Sequence, residues 1–270
     1  MHAQAMADQA PGDAVVEVIN PGGRGPVVLA CEHASHAMLA ETGSLGLPPA
    51  ALTSHVAWDP GALAVARHMA RLLDAPLVAS RVSRLVYDCN RPPDAPDAMP
   101  ARSEAYDIPG NAALTAAERS RRAETIYTPF HATLAACLDK QAAAIGHVPA
   151  LVTVHSFTPV YKGVRRILDL GVLHDADARL ADALLATAAL GPGGGLAVRR
   201  NEPYGPADGV THTLVRHGTA WRRLNAMLEI RNDRIADEIG QRAWATRLAE
   251  AVTQALEALT VADAVACGGR

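Results

Sequence analysis

The sequence predicts a single three-layer α/β/α domain built on a mixed, largely parallel sheet. Short apolar runs recur at 27–31, 151–154, 168–173 and 227–230. Runs of this kind, bounded by turn residues, read as strands buried on both faces. Longer segments of helical periodicity stand between them, at 62–73, 114–145, 177–189 and 237–259. Strands alternating with helices make a sheet with helices packed on its faces. No internal repeat or linker divides the 270 residues, a length that suits one large α/β domain.

Taken in order, residues 1–24 are polar and rich in Gly and Pro, and are expected to form a loose arm. The domain then runs over 25–262, with a short tail at 263–270. The first strand, 27–31, leads through a loop to Asp59-Pro60-Gly61. Asp59 suits a helix N-cap and Pro60 a first helical turn, so a helix is expected over 62–73. Short strands are expected at 76–79 and 85–87. Residues 91–111 hold several prolines and no period, which predicts a long loop of the kind that serves as a lid or is disordered. Thr115 and Glu118 form a capping box at the head of one long helix over 114–145. After strands at 151–154 and 168–173 come a helix, a Gly-rich turn at 191–195, a strand at 196–198, the strand 227–230 and a closing amphipathic helix.

Composition excludes several classes. The chain is 49% hydrophobic with a net charge of −3, which supports a large core and gives no reason to expect a nucleic-acid partner. Mean hydropathy is +0.05 and no apolar stretch approaches the ~20 residues needed to span a bilayer. The first residues carry neither a basic nor a continuous apolar region, so a signal peptide is not expected. Four cysteines without paired spacing read as reduced thiols in a cytoplasmic protein.

The chemistry concentrates at strand ends, where open α/β sheets place their ligands. The run 27–31 is followed by Glu32-His33 and the run 151–154 by His155-Ser156. Either histidine alone reads as a satisfied buried group. Two at equivalent strand ends point to a metal site, because two histidines, one carboxylate and an open position form a common zinc hydrolase arrangement. Glu32, Asp59 and Glu229 compete for the third position. Within a strand Glu32 and His33 point apart, and Asp59 has its capping role as an alternative.

Glu229 lies inside an apolar strand, where a carboxylate is costly unless paired or working. Arg231, two residues on, is its structural partner in one reading; in the other Glu229 is a general base. Asn90-Arg91 ends the block 84–89 and is suited to grip a carboxylate, while Arg84 and Asp88 suggest a pair. Thr213, Arg216 and His217 offer a second anion contact, and the turn 201–205 is compact enough to close over a site. His36 is a ligand only if its segment is helical, His55 is a neighbour of Asp59, and His131 and His147 are expected at the surface.

The blocks Cys31-Glu32-His33-Ala34-Ser35, Trp58-Asp59-Pro60-Gly61-Ala62, Arg84 to Pro92, Val154 to Pro159 and Leu228-Glu229-Ile230-Arg231 together resemble the N-formylglutamate amidohydrolase family. Their order and spacing match over roughly residues 25–255. The resemblance implies a phosphorylase/hydrolase-like fold, distantly similar to zinc carboxypeptidases and aspartoacylases. It implies zinc or another divalent ion on His33, His155 and Asp59, with Glu32 as the alternative ligand. It also implies Glu229 as base and Asn90-Arg91 on the substrate carboxylate; Arg84, Arg216 and Arg231 are further candidate substrate contacts. The expected reaction is hydrolysis of an N-acyl amino acid such as N-formylglutamate. Another acyl conjugate, or a non-catalytic domain binding an acidic small molecule, are the competing readings.

Overall fold

The computed structural model describes residues 14–190 and 195–268, the stretch 262–268 as backbone. Residues 1–13, most of the Gly-rich turn and the last two residues of the expected tail lie outside the described residues. Strands β1 (Val16–Ile19) and β2 (Val27–Cys31) are followed by the short helix α1 (Pro49–Leu52), helix α2 (Ala62–Leu72) and β3 (Leu77–Ser80). The segment expected as a long loop folds into the hairpin β4 (Arg102–Ser103) and β5 (Tyr106–Asp107), then α3 (Pro109–Ala112). Next come α4 (Ala116–Arg122) and α5 (Thr128–Ile145), β6 (Ala150–Phe157), and the hairpin β7 (Val160–Tyr161) and β8 (Val164–Arg165). The chain closes with β9 (Leu170–Leu173), α6 (Arg179–Ala186), β10 (Val198–Arg200), β11 (Asn225–Arg231) and α7 (Glu238–Gly268).

Seven strands form one sheet in the order β1-β3-β2-β6-β11-β9-β10. The pairs β2–β3, β2–β6, β6–β11 and β9–β10 are parallel, while β1–β3 and β9–β11 are antiparallel. Alternate residues of the central strands feed two cores. Val27, Leu29, Val152 and Val154 pack with Met69 of α2 and with Leu248 and Val252 of α7. Val28, Ala30 and Leu151 pack with Phe130, Leu134 and Leu138 of α5. A helix layer on each face is the architecture the sequence predicts, a single α/β domain.

Four local expectations change. Residues 16–19, placed in the loose arm, form β1 on the sheet edge. Residues 85–87 are a turn, with the N–H groups of Val86 and Tyr87 bonded back to Ser83 O. The long helix is interrupted over Ala123–Tyr127 by one turn of π-helix, although its Thr115–Glu118 capping box is present. Helix α2 is capped by Gly61, not Asp59. Gly61 adopts φ +81, and a Cβ there would press into Ile235. This tight turn frees the Asp59 carboxylate for another task.

Candidate metal centre and active-site cleft

The functional residues gather at the C-terminal ends of β2, β6 and β11. His33 stands in the turn just beyond β2. His155 lies inside β6, because that strand runs on past its apolar run to Phe157. Glu229 is its register partner across the β6–β11 ladder. Asp59 is brought in from the turn before α2: its N–H donates to His33 O at 3.0 Å, and Ser156 N–H donates to its Oδ2 at 3.2 Å.

Three donor atoms converge. His155 Nδ1 lies 2.9 Å from Asp59 Oδ2 and 3.2 Å from His33 Nδ1, and His33 Nδ1 lies 3.3 Å from Asp59 Oδ2. Ligands of a tetrahedral ion at ~2.0–2.1 Å stand roughly 3.3 Å apart, so the spacing fits one zinc-sized cation. The outer nitrogens decide the tautomers. His33 Nε2 donates to Asp88 Oδ1 at 2.7 Å, and His155 Nε2 lies 3.1 Å from Glu32 Oε2. With both Nε2 atoms protonated, two Nδ1 lone pairs and a carboxylate oxygen point at one spot, an arrangement that only a cation or shared protons stabilise. Carboxylates behind metal-bound histidines are the usual second layer of such sites. The buried His33–Asp59–His155 group can therefore hold a metal ion.

Glu32 thus stands behind His155 and outside the group of inward ligands. Burial raises its acidity cost, but the facing His155 outweighs this and holds the carboxyl at about 2. Burial likewise opposes charging of the two histidines. Glu32 and Asp59 nevertheless raise His155 well above its ordinary value, and Asp88 and Asp59 raise His33. Asp59 and Asp88 are both held low, mainly by His33.

The group opens into a cleft of about 390 Å³ that also admits Arg84, Glu229, Phe157, Tyr161 and Tyr204. Burial, reinforced by Asp59, raises the Glu229 carboxyl to about 7. Its Oε2 has no hydrogen-bond partner among the described residues. Arg231 is not that partner, because its guanidinium bonds Asp233 and Asp169. That corrects the structural pairing expected between Arg231 and Glu229.

The arginines sort differently from expectation. Arg84 spans Asp59 at 3.3 Å and Asp88 at 3.2 Å and remains 30% exposed to the cleft. Arg91 and Asn90 line the cleft, but their polar atoms are committed to a clasp on the segment 208–213. Arg91 donates to Asp97 and to the carbonyls of Asn90, Asp208 and Gly209. Asn90 donates to Val210 O and accepts from Thr213 N–H. Arg216 lies away from the cleft over the Tyr127 ring, so it is no second anion contact there. His36 is exposed against Trp58, His55 pairs with Glu104 at the cleft margin, and His131 is buried where a surface position was expected.

Residues 25–236 match the family model of N-formylglutamate amidohydrolase. The chain belongs to the N-formylglutamate amidohydrolase family, a family of hydrolases. The crystal structure of the gene product Atu2144 from Agrobacterium tumefaciens is 51% identical, with a TM-score of 0.89 over 93% of this chain and 98% of that one. The N-formylglutamate amidohydrolase from Ralstonia eutropha JMP134 shares the fold at 21% identity, with a TM-score of 0.63 over 94% of this chain and 99% of that one. No curated protein matches the chain. Among the described residues no helix is long and apolar enough to cross a membrane.

Two features of the site are not evident from the sequence. Asp88 bonds His33 as well as Arg84, and its place beside the Asn90-Arg91 block is the signal in the sequence that points to it. Tyr204 sat in a noted turn, and the scarcity of aromatics, 4% of the chain, was the signal that a cleft wall of Phe157, Tyr161 and Tyr204 is unusual.

Proposed function

We propose that the protein is a metal-dependent amidohydrolase that cleaves the amide bond of an N-acyl amino acid, N-formylglutamate being the first candidate. The observation that carries this reading is the pairing of a two-histidine, one-carboxylate group with a buried Glu229 whose Oε2 has no hydrogen-bond partner among the described residues, in one cleft. When bound to His33, Asp59 and His155, a zinc ion supplies Lewis acidity that makes water a competent nucleophile near neutral pH. Glu229 takes the water proton on Oε2 and delivers it to the departing nitrogen. The burial that raises this carboxyl to about 7 in the metal-free protein supports a proton-transfer role. Arg84 is the guanidinium open to the substrate's charge, while Asn90 and Arg91 hold the 208–213 wall in place. A cleft of about 390 Å³ lies in the small-molecule range. Free thiols at Cys31, Cys89 and Cys137 support a reducing, cytoplasmic setting.

The test is zinc-loaded protein against a panel of N-acyl amino acids, with formate and free amino acid both measured. Formate release from N-formylglutamate is the expected outcome. Glu229→Gln is expected to keep the metal and lose about 10²–10⁴-fold in kcat. Turnover of bulkier acyl groups alone would select the deacylase reading, which the aromatic wall favours. Absence of turnover across the panel would remove the amidohydrolase reading.

A further inference from the structure

We propose that Tyr204 is a further catalytic residue, an O–H donor to the acyl oxygen as it gains negative charge, and that Arg166 is the positioning residue that aims it. The assignment rests on the amidohydrolase reading. The turn that carries Tyr204 is built into the sheet. Asn201 N–H donates to Val172 O, and Asn201 Oδ1 accepts from His174 N–H. The turn also lies so close to β9 that a Cβ on Gly171 would overlap the carbonyl oxygen of Glu202. The Tyr204 ring packs on Leu173, Leu214 and Met227, so it has little freedom to swing.

The hydroxyl is then directed by its neighbour. Arg166 Nη1 donates to the Tyr204 oxygen at 3.1 Å, and the guanidinium lies 4.9 Å from the ring centre. The same guanidinium stacks over Tyr161 and Phe157, so three rings of the cleft wall hold it. A phenol oxygen that accepts from a cation keeps its own hydrogen free to donate elsewhere. Tyr204 lines the same cleft as Glu229, His33 and His155, and Glu229 is near enough to act on its phenol electrostatically. Burial and the nearby Glu229 keep the phenol protonated at working pH. Donors fixed before the reaction act where charge develops, and they act most strongly in a water-poor cleft.

Tyr204→Phe keeps the ring and removes only the donor. In zinc-loaded full-length protein it is expected to lower kcat about 10²-fold with little change in KM. A phosphinate analogue, with tetrahedral phosphorus in place of the acyl carbon, is expected to lose affinity for the variant in parallel with kcat/KM, while affinity for the amino-acid product holds. Arg166→Met is expected to lower kcat about tenfold in the wild-type background and to have no further effect beside Tyr204→Phe. A Tyr204→Phe kcat within threefold of wild type, or unchanged phosphinate affinity, overturns the catalytic role. An Arg166→Met loss that persists beside Tyr204→Phe overturns the positioning role. Wild-type protein inactive on the whole panel overturns the amidohydrolase reading and the Tyr204 assignment with it, a result distinct from an active wild type with an equally active variant.

Discussion

Two buried histidine pairs occupy this fold with similar ring separations and opposite electrostatics. His33 and His155 lie 4.8 Å apart, ring to ring, at the cleft; His131 and His217 lie 5.1 Å apart near the π-helical turns. Each cleft histidine has a carboxylate behind its Nε2 and shares Asp59 in front. Among the described residues the other pair has no such partners. His131 Nε2 donates to Cys89 O, so its Nδ1 accepts from His217 Nε2–H at 2.8 Å, and Arg216 is the nearby charge. Burial and like-charged neighbours push His131 down to about 3 and His217 to about 4. The same side chain is thus placed to hold a cation at the cleft and to act as a neutral hydrogen-bond relay at the other pair. The neighbouring carboxylates decide which, and burial alone does not.

Metal stoichiometry is the severest test of that contrast. His33→Ala and His155→Ala are each expected to abolish binding of a single divalent ion per chain, and with it turnover, when measured by elemental analysis after zinc loading and dialysis. His131→Ala and His217→Ala are expected to keep the ion. Metal loss in the second set with retention in the first would reverse the comparison. The carboxylates behind the ligands come next. Asp88→Asn and Glu32→Gln are expected to weaken zinc affinity about 10–100-fold in a chelator competition, since each supports a ligand without joining it. An undiminished affinity for Glu32→Gln would deny it that supporting role.

The sequence carried the two cleft histidines but not their neutral counterparts, for physical reasons. Strands β2 and β6 are continuous apolar runs, and such runs announce themselves. The apolar run ends at Val154, so from sequence His155 lies just beyond a strand, whereas the ladder to β11 continues through Phe157. The edge strand β1 is short and carries Glu17, so only its pairing with β3 makes it a strand. Asp59 and Glu32 could not be ranked from spacing. The choice depends on the Gly61 turn pressed against Ile235, a contact across 174 positions of chain. The apolar stretch 85–87 looked like a strand, yet it curls so that Asp88 N–H reaches Ala98 O and the Asp88 carboxylate reaches His33. The helix around His131 is too weakly amphipathic to mark its buried face in the sequence, and its partner lies in a π-helical turn 86 residues away.

The smallest effect, and the one that separates the pairs by sign, is the pH dependence of stability. For His131 and His217 the folded-state pKa lies below the unfolded value of about 6.5. As pH falls below about 6.5 the unfolded chain takes up protons that the folded chain refuses, so stability is lost down to about pH 4. The loss is on the order of 2 kcal/mol per histidine by pH 5. In metal-free protein the cleft pair acts in the opposite direction. Its raised folded pKa values give stability that is fully present below about 6.5 and is lost as pH rises through them. Zinc removes that second contribution, because the ion replaces the protons. Urea unfolding of zinc-loaded protein between pH 5 and 7 is therefore expected to show a steeper fall toward acid than metal-free protein. His217→Gln is expected to flatten the zinc-loaded curve by about one proton, since glutamine still donates to His131 Nδ1 without titrating. Parallel curves for wild type and His217→Gln would show that the second pair does not resist protonation, and the contrast between the two histidine pairs would collapse to one of ligand geometry alone.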